Sequence, residues 1–404
     1  MSKSIEFSFP FLILRLKSNI GFMDKLSRFP YIKSTGWVFL YLMPVLAFVA
    51  IFVLLFTLSI YITEPVIRDS ARDAGPLSLL LIPGINPFLP IFYGWIGIFV
   101  GILVHEGAHG VMAKALNIPV KSSGILLLFV IPIGAFVEVD DENYRYKDKS
   151  QLNISGRIIA AGSGANFIFG LIALLLLVSV VGTMQPVSSG VPVGQVFLDY
   201  PAHDSGILPG DYIVMIDDAD IIDINDLGNE LSKYNPEDTV QVDVVRRTGS
   251  HSFSITLTEH PDYDDRAFLG VVGLPVEPDL ILNQYQNAFG LSSSALIYFT
   301  FPTGNQIIVP YSSFMSSFYT SSIGDAAVPL ANMFFWIWFI NFNLGIFNSL
   351  PIYPLDGGQA FRRSLYRFFG NKLQDNTVIL ISRIITLLVV FMVISIFVFP
   401  YIFS

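Results

Sequence analysis

Ile91-Phe-Tyr-Gly-Trp-Ile-Gly-Ile-Phe-Val-Gly-Ile102 carries no charge, yet Leu103-Val-His-Glu-Gly-Ala-His-Gly-Val-Met-Ala-Lys-Ala-Leu116 follows it without a break. Together they are long enough to cross a bilayer, which takes roughly 20 residues of helix. The second half nevertheless puts two histidines and a glutamate into that helix. An ionisable side chain near mid-membrane costs about 2.5–3.5 kcal/mol on insertion scales and marks a functional position by default. Such a placement makes sense only where helices enclose a small wet cavity.

Four further apolar runs are of spanning length: Trp37 to Ile62, about Ile158 to Val181, Leu330 to Leu350, and Val378 to Phe403. With 53% hydrophobic and 14% charged residues among 404, the chain reads as a polytopic α-helical membrane protein. Residues 1–33 show no h-region ending in small residues and read as a basic, inner-side interfacial lead-in. There is no cysteine, so disulfides and thiolate metal sites are excluded and any metal must be held by His and carboxylate.

Charge divides the chain. Residues 190–280 hold 18 Asp or Glu against 4 Lys or Arg, while the whole chain is at −9, so the remainder is net positive. That break marks a water-soluble domain inserted between membrane segments. Lys and Arg number 6 in residues 1–33, 6 in 113–157 and 5 in 359–383, but only 2 in 63–90. With five alternating spans, the positive-inside rule puts the N-terminus inside and the acidic domain and C-terminus outside. Ala288–Phe301 is apolar, but 14 residues with three serines are too few to span. It is expected to be interfacial or re-entrant. The expected domains are therefore residues 1–33, a first membrane part 34–185, a soluble domain 186–280, the interfacial segment 281–325, and a second membrane part 326–404.

On a helix, His105 and His109 are four apart and share a face. Both imidazoles then reach one metal, while Glu106, one step round, is placed to take a proton from the water that the metal activates. A tetrahedral zinc site needs a third protein ligand and an open position. His203, His251 and His260 all lie in the acidic domain, and Glu106 is the only carboxylate within the five spans. Just beyond the span ends stand Glu64, Asp325, Asp375 and Asp356. Asp356 stands out in Asn348-Ser-Leu-Pro-Ile-Tyr-Pro-Leu-Asp-Gly-Gly358, where two prolines break the helix and free backbone groups that could face a wet cavity. The bland readings are packed histidines, and a helix-capping carboxylate at Asp356.

His105-Glu-Gly-Ala-His109, with Ala113 four residues on, resembles the first motif of the site-2 protease family of intramembrane zinc metalloproteases. Asn348 through Gly358 is similar to that family's second motif, Asn-x-x-Pro-x-x-x-x-Asp-Gly. Ala161-Gly-Ser-Gly-Ala-Asn166-Phe resembles its middle core helix, with Ser163 where the family has proline. Ile133-Gly-Ala-Phe-Val-Glu138 is similar to its membrane-associated β-loop. The resemblance implies one zinc ion on His105, His109 and Asp356, with Glu106 as general base. It implies Asn348 at the substrate carbonyl or its oxyanion, and a similar supporting role at the substrate for Asn166. The extended run after Gly134 would offer an edge strand to an unwound substrate. Gly107 and Gly110 either let a substrate or helix approach the motif helix or serve ordinary small-residue packing.

Within the acidic stretch, Val240-Gln-Val-Asp-Val-Val245 and Phe253-Ser-Ile-Thr-Leu-Thr258 flank Arg-Thr-Gly-Ser as a hairpin, and Asp226–Lys233 reads as a helix capped by Asn225 or Asp226. Tyr200-Pro-Ala-His-Asp-Ser-Gly-Ile-Leu-Pro-Gly-Asp-Tyr-Ile-Val-Met-Ile216 resembles a circularly permuted, mainly-β PDZ domain. Phe268, Leu269, Gly270 and Val271 match the loop that receives a peptide C-terminus in that family. A spacer with an empty groove is the alternative.

The expectation is an intramembrane zinc metalloprotease that cuts within or near a transmembrane segment of a single-span membrane protein pre-trimmed by another protease. The bilayer is its medium, and no nucleic acid is expected as a partner. Two alternatives stand beside it. One is a membrane-anchored peptide-binding protein with a non-catalytic metal site. The other is a metal transporter, against which the absence of paired halves counts.

Overall fold

The computed structural model describes residues 3–8, 10–17, 21–128, 131–139, 149–275, 277–287, 309–370 and 372–402. Ala288–Phe301, on which the count of spans turns, lies outside them. In chain order, strands β1 (Lys3–Ser8) and β2 (Phe11–Lys17) and helix α1 (Gly21–Ser27) precede α2 (Ile32–Thr63). Next come α3 (Pro65–Ala74), α4 (Ile91–Ala115), β3 (Val120–Leu128), β4 (Ile131–Val139) and α5 (Lys149–Val181). The acidic stretch then gives β5 (Met184–Pro186), β6 (Val191–Val196), α6 (Pro201–Ser205), β7 (Tyr212–Ile216), β8 (Ala219–Asp220), α7 (Ile224–Leu231), β9 (Thr239–Arg246), β10 (Gly249–Thr256), β11 (Thr258–His260), β12 (Tyr263–Phe268), β13 (Val271–Gly273) and α8 (Pro278–Gln286). After β14 (Tyr319–Ser321) come α9 (Ala327–Asn348), α10 (Asp356–Phe369) and α11 (Asp375–Ile402).

Among the described residues, the five helices α2, α4, α5, α9 and α11 are long and apolar enough to cross a membrane. These are the five runs the sequence offers. The chain forms two compact units, Met1–Leu174 with Phe335–Ser404, and Leu175–Phe334.

In the first unit Leu46, Ala50 and Leu54 of α2 bury against Ile346 of α9 and Val389 and Ile396 of α11. Gly97 and Gly101 seat α4 on α9: a Cβ on Gly97 would meet Ile340 Cδ1 at 2.6 Å and the Trp336 carbonyl oxygen at 2.9 Å. Close approach of this kind is how helices associate where lipid gives no hydrophobic drive. The β-loop expected around Ile133–Glu138 is the hairpin β3–β4. Residues 1–33, expected as an interfacial lead-in, add their own hairpin to it, giving one antiparallel sheet in the order β1-β2-β3-β4. Arg15 rivets this sheet, donating to Ser122 Oγ at 3.1 Å and Glu138 Oε2 at 3.2 Å while its guanidinium lies over the Phe136 ring.

The second unit is built on a sheet in the order β10-β9-β7-β6-β13, with β8 on β7. Its core includes Val193, Ile213, Ile216, Val242, Val244 and Leu269, which are fully buried. The expected hairpin is β9–β10, closing at Arg246 and Gly249. The helix expected at Asp226–Lys233 starts earlier, at Ile224, and its cap is Asp223 rather than Asn225 or Asp226. Asp223 accepts from the backbone N–H of Asn225 and Asp226, and the Asp226 carboxylate accepts in return from Asp223 N–H. This reciprocal box satisfies two donors that a cap at Asp226 would have left open. Asp217 accepts from Gln241 N–H and Tyr234 O–H, each at 2.7 Å. Those bonds hold its carboxyl below its ordinary range and push Tyr234 up to about 12.

Candidate metal centre

The motif half of α4 is held from two sides. Gly110 faces α1 and β4: a Cβ there would meet Met23 Sδ at 2.6 Å and Val137 Cγ1 at 3.3 Å. Lys114, one turn on, pairs with Asp24 of α1 at 2.5 Å. Gly110 is therefore a packing glycine, whereas nothing lies within 4 Å of a Cβ on Gly107.

Two helices bring these polar residues together. His105 and His109 project from α4, their ring centroids 4.8 Å apart and nearly perpendicular. Asp356 is the first residue of α10. Gly357 and Gly358 let that first turn press onto the backbone of Ser349 and of Ile352–Tyr353, where any side chain would collide. Asp356 Oδ2 lies 3.1 Å from His105 Nε2 and 3.2 Å from His109 Nε2. Ligands 2.0–2.1 Å from a tetrahedral zinc sit about 3.4 Å apart, so this spacing fits the ion. Among the described residues, this trio alone forms a cluster of His and carboxylate ligands of metal-binding size, with ligand atoms within 4.8 Å of one another. The alternatives Glu64, Asp325 and Asp375 are not part of it.

Two further observations test the fit. His109 Nδ1 lies 2.8 Å from the Ile158 carbonyl oxygen, to which only an N–H can donate. In the neutral imidazole this leaves Nε2 as a lone-pair donor aimed at the cluster. Gly162 of α5 closes the other side: a Cβ built on it would stand 2.5 Å from His109 Nε2 and 2.7 Å from His105 Nε2. A side chain at 162 would occupy the space an ion needs. The donor set, its spacing and this reserved volume all suit zinc.

Glu106 accepts from the Val137 N–H of β4 at 3.0 Å, which anchors its carboxylate at the mouth of the cluster. Asn348, the last residue of α9, lines the same cavity of about 400 Å³ with His105, Glu106, His109 and Asp356. Asn166 is fully buried on α5 behind the histidines, its amide nitrogen 3.3 Å from His105 Nδ1. Gly134 lines a small separate cavity with Phe99, Ile102 and Leu103 instead. Phe268, Leu269, Gly270 and Val271 belong to the second unit. Leu269 is core, Phe268 packs its ring with Phe197, Tyr200 and His260, and Gly270 takes φ +90° against Tyr200. Val139 ends the extended run expected after Gly134, whereas Ser155, Ile158, Ile159, Gln359 and Arg363 line the cavity without having been singled out from the sequence.

Two histidines of a membrane-spanning helix, an aspartate at the start of α10 and a glutamate beside them form the kind of donor set that a membrane-embedded metallohydrolase uses. The model of peptidase family M50 matches residues 93–392, and the chain belongs to that family. It is similar to an uncharacterized protein of Methanocaldococcus jannaschii, 26% identical over 86% of this chain and 75% of that one. The membrane metalloprotease ARASP of Arabidopsis thaliana chloroplasts is 27% identical over 64% of this chain and 66% of its own length. The regulator of sigma-W protease RasP of Bacillus subtilis is 29% identical over 50% of this chain and 48% of its own. The protein is a multi-pass membrane zinc metalloprotease of the site-2 type.

Proposed function

We propose that the protein hydrolyses a peptide bond within or near a transmembrane segment of a membrane-protein substrate, with zinc on His105, His109 and Asp356 and Glu106 as general base. The observation that carries this reading is the convergence of both Nε2 atoms and Asp356 Oδ2 beside Glu106 in one cavity. Bound there, zinc supplies the Lewis acidity that activates water and polarises a carbonyl. Glu106 takes the proton from the attacking water and returns it to the leaving amine. Asn348 donates its side-chain N–H to the developing oxyanion. Val137 N–H keeps Glu106 aimed, so β4 serves the base first. Val139, further along the same strand, flanks the cavity where an unwound substrate would lie. Cleavage of a tagged transmembrane-helix reporter by the purified protein tests the reading, and no cleavage of any such reporter by zinc-loaded protein would favour a binding role.

Asn166 takes a different place from the one the resemblance implied. Its Oδ1 is buried without a hydrogen-bond partner. With the amide turned by 180°, Oδ1 accepts from His105 Nδ1–H and leaves Nε2 free for metal, as an outer partner of a ligating histidine does. Asn166→Leu is expected to weaken zinc affinity by about 10–100-fold. A competition titration with a chelating dye checks it, and unchanged affinity would leave Asn166 a packing residue.

The second unit supports a PDZ-like module that receives a peptide C-terminus at Phe268–Val271. Strand β13 follows that loop, pairs with β6 on one side, and has Ile224 of α7 near Gly273. Its acidic surface favours basic or neutral peptides. Saturable binding of C-terminal peptides to the full-length protein, lost when Gly270 is replaced by valine, is the expected result. The basic flanks of residues 1–33, 113–157 and 359–383 support a cytoplasmic N-terminus and an extracytoplasmic acidic unit, which a protease-protection assay reads directly.

A further inference from the structure

Two cavities of the first unit, away from the metal centre, share a wall. One, of about 420 Å³, is lined by apolar side chains that include Met43, Phe48 and Ile51 of α2, Phe361 of α10 and Ile385 of α11. The other, of about 300 Å³, brings Trp37 and Tyr41 of α2 together with Asn153 of α5 and Arg363 and Arg367 of α10. Leu40, Pro44, Ala360 and Ser364 line both, so the two are one groove. From Trp37 to Ile51 it follows α2 for roughly 21 Å at 1.5 Å per residue.

The chemistry changes along that length. At the Trp37 end stand Arg363 and Arg367, and the Arg157 guanidinium lies 4.8 Å over the Trp37 ring. Toward Ile51 the lining is hydrocarbon. A cationic end joined to an apolar trough calls for a ligand with an anionic head and a hydrocarbon tail. A soluble anion has no use for the trough.

We propose that this groove binds one anionic phospholipid, its phosphate between Arg363 and Arg367 and an acyl chain along α2 beside Pro44, Phe48 and Ile51. Basic pockets between membrane helices hold anionic lipid headgroups through this combination of charge and apolar surface. Arg363 also belongs to the wall of the metal cavity and donates to Ser155 Oγ at 3.0 Å. The lipid site and the cavity therefore share one side chain. The proposal does not depend on the catalytic reading.

Native mass spectrometry of the full-length protein in detergent tests it, with phosphatidylglycerol and phosphatidylcholine of identical acyl chains as probes. One phosphatidylglycerol per chain is expected to be retained over phosphatidylcholine by roughly 30-fold, the preference two arginines can supply. Arg363→Gln with Arg367→Gln should abolish that preference, while Lys372→Gln, a basic residue of the same region that does not line the groove, should keep it. Ala47→Trp fills the apolar part without touching a charge and should lower retention of both lipids, which covers the case of a double variant that fails to fold. Equal retention of the two lipids by wild type, or an unchanged preference in the double variant, would overturn the proposal. So would displacement by millimolar inorganic phosphate, which would mark an anion site only. Arginine-dependent binding of an added transmembrane peptide in place of phosphatidylglycerol would assign the groove to a protein partner instead.

Discussion

Gly162→Ala is expected to empty the metal centre while leaving the helices intact. The alanine methyl would stand 2.5 Å from His109 Nε2 and 2.7 Å from His105 Nε2, inside the volume the ion needs. Neither imidazole can back away freely. His109 is tied by Nδ1 to the Ile158 carbonyl, and His105 is backed by the buried Asn166. The loss of zinc affinity should therefore exceed the about 10–100-fold that disturbing an outer partner of a ligand costs. Fold stability should not fall in step, because alanine is favoured over glycine in a helix interior by about 1 kcal/mol. Equilibrium dialysis against zinc, paired with thermal unfolding of the metal-free protein, separates the two. Normal zinc binding by Gly162→Ala would show that the ion sits elsewhere.

Glu106→Gln is expected to lower cleavage of a transmembrane reporter by about 10²–10⁴-fold, the usual worth of a positioned base, with zinc retained. The amide keeps the shape of the carboxylate and can still accept from Val137 N–H, so metal binding and the β4 contact survive. Val137→Pro deletes that N–H and should reduce cleavage with zinc again retained, because the base loses its anchor rather than its charge. Loss of zinc in Glu106→Gln would make Glu106 a ligand. Undiminished cleavage would remove it from the mechanism.

Much of this arrangement is legible in the sequence because the membrane narrows the choices. A charge-free run that suddenly carries His105, Glu106 and His109 has few explanations, and the proline-broken exit of α9 exposes Asp356 as a partner. The five spans follow from run length alone. Other features are set by how elements meet, which spacing along one chain does not report. Gly162 reads as one of several small residues in Ala161–Asn166, and only the depth of α5 against α4 makes it the floor of the site. Asn166 was expected at the substrate and stands behind His105 for the same reason. The hairpin β1–β2 had a visible signal, since Ile5 and Phe7 alternate with Ser4, Glu6 and Ser8. It was masked by the basic residues around it, which favoured an interfacial reading. At α7 the reciprocal box between Asp223 and Asp226 sets the cap, and the flanking Ile222 and Ile224 obscured where the helical pattern begins.

Whether His105, His109 and Asp356 together hold one zinc ion is read most directly from zinc content, by mass spectrometry of the metal, of wild type and Asp356→Ala purified side by side and dialysed against the same buffered zinc. About one zinc per chain is expected in the wild type, as a three-ligand site with an open position requires. Near-complete loss is expected in Asp356→Ala, where two histidines remain without their carboxylate. Equal zinc in both proteins would remove Asp356 from the metal site.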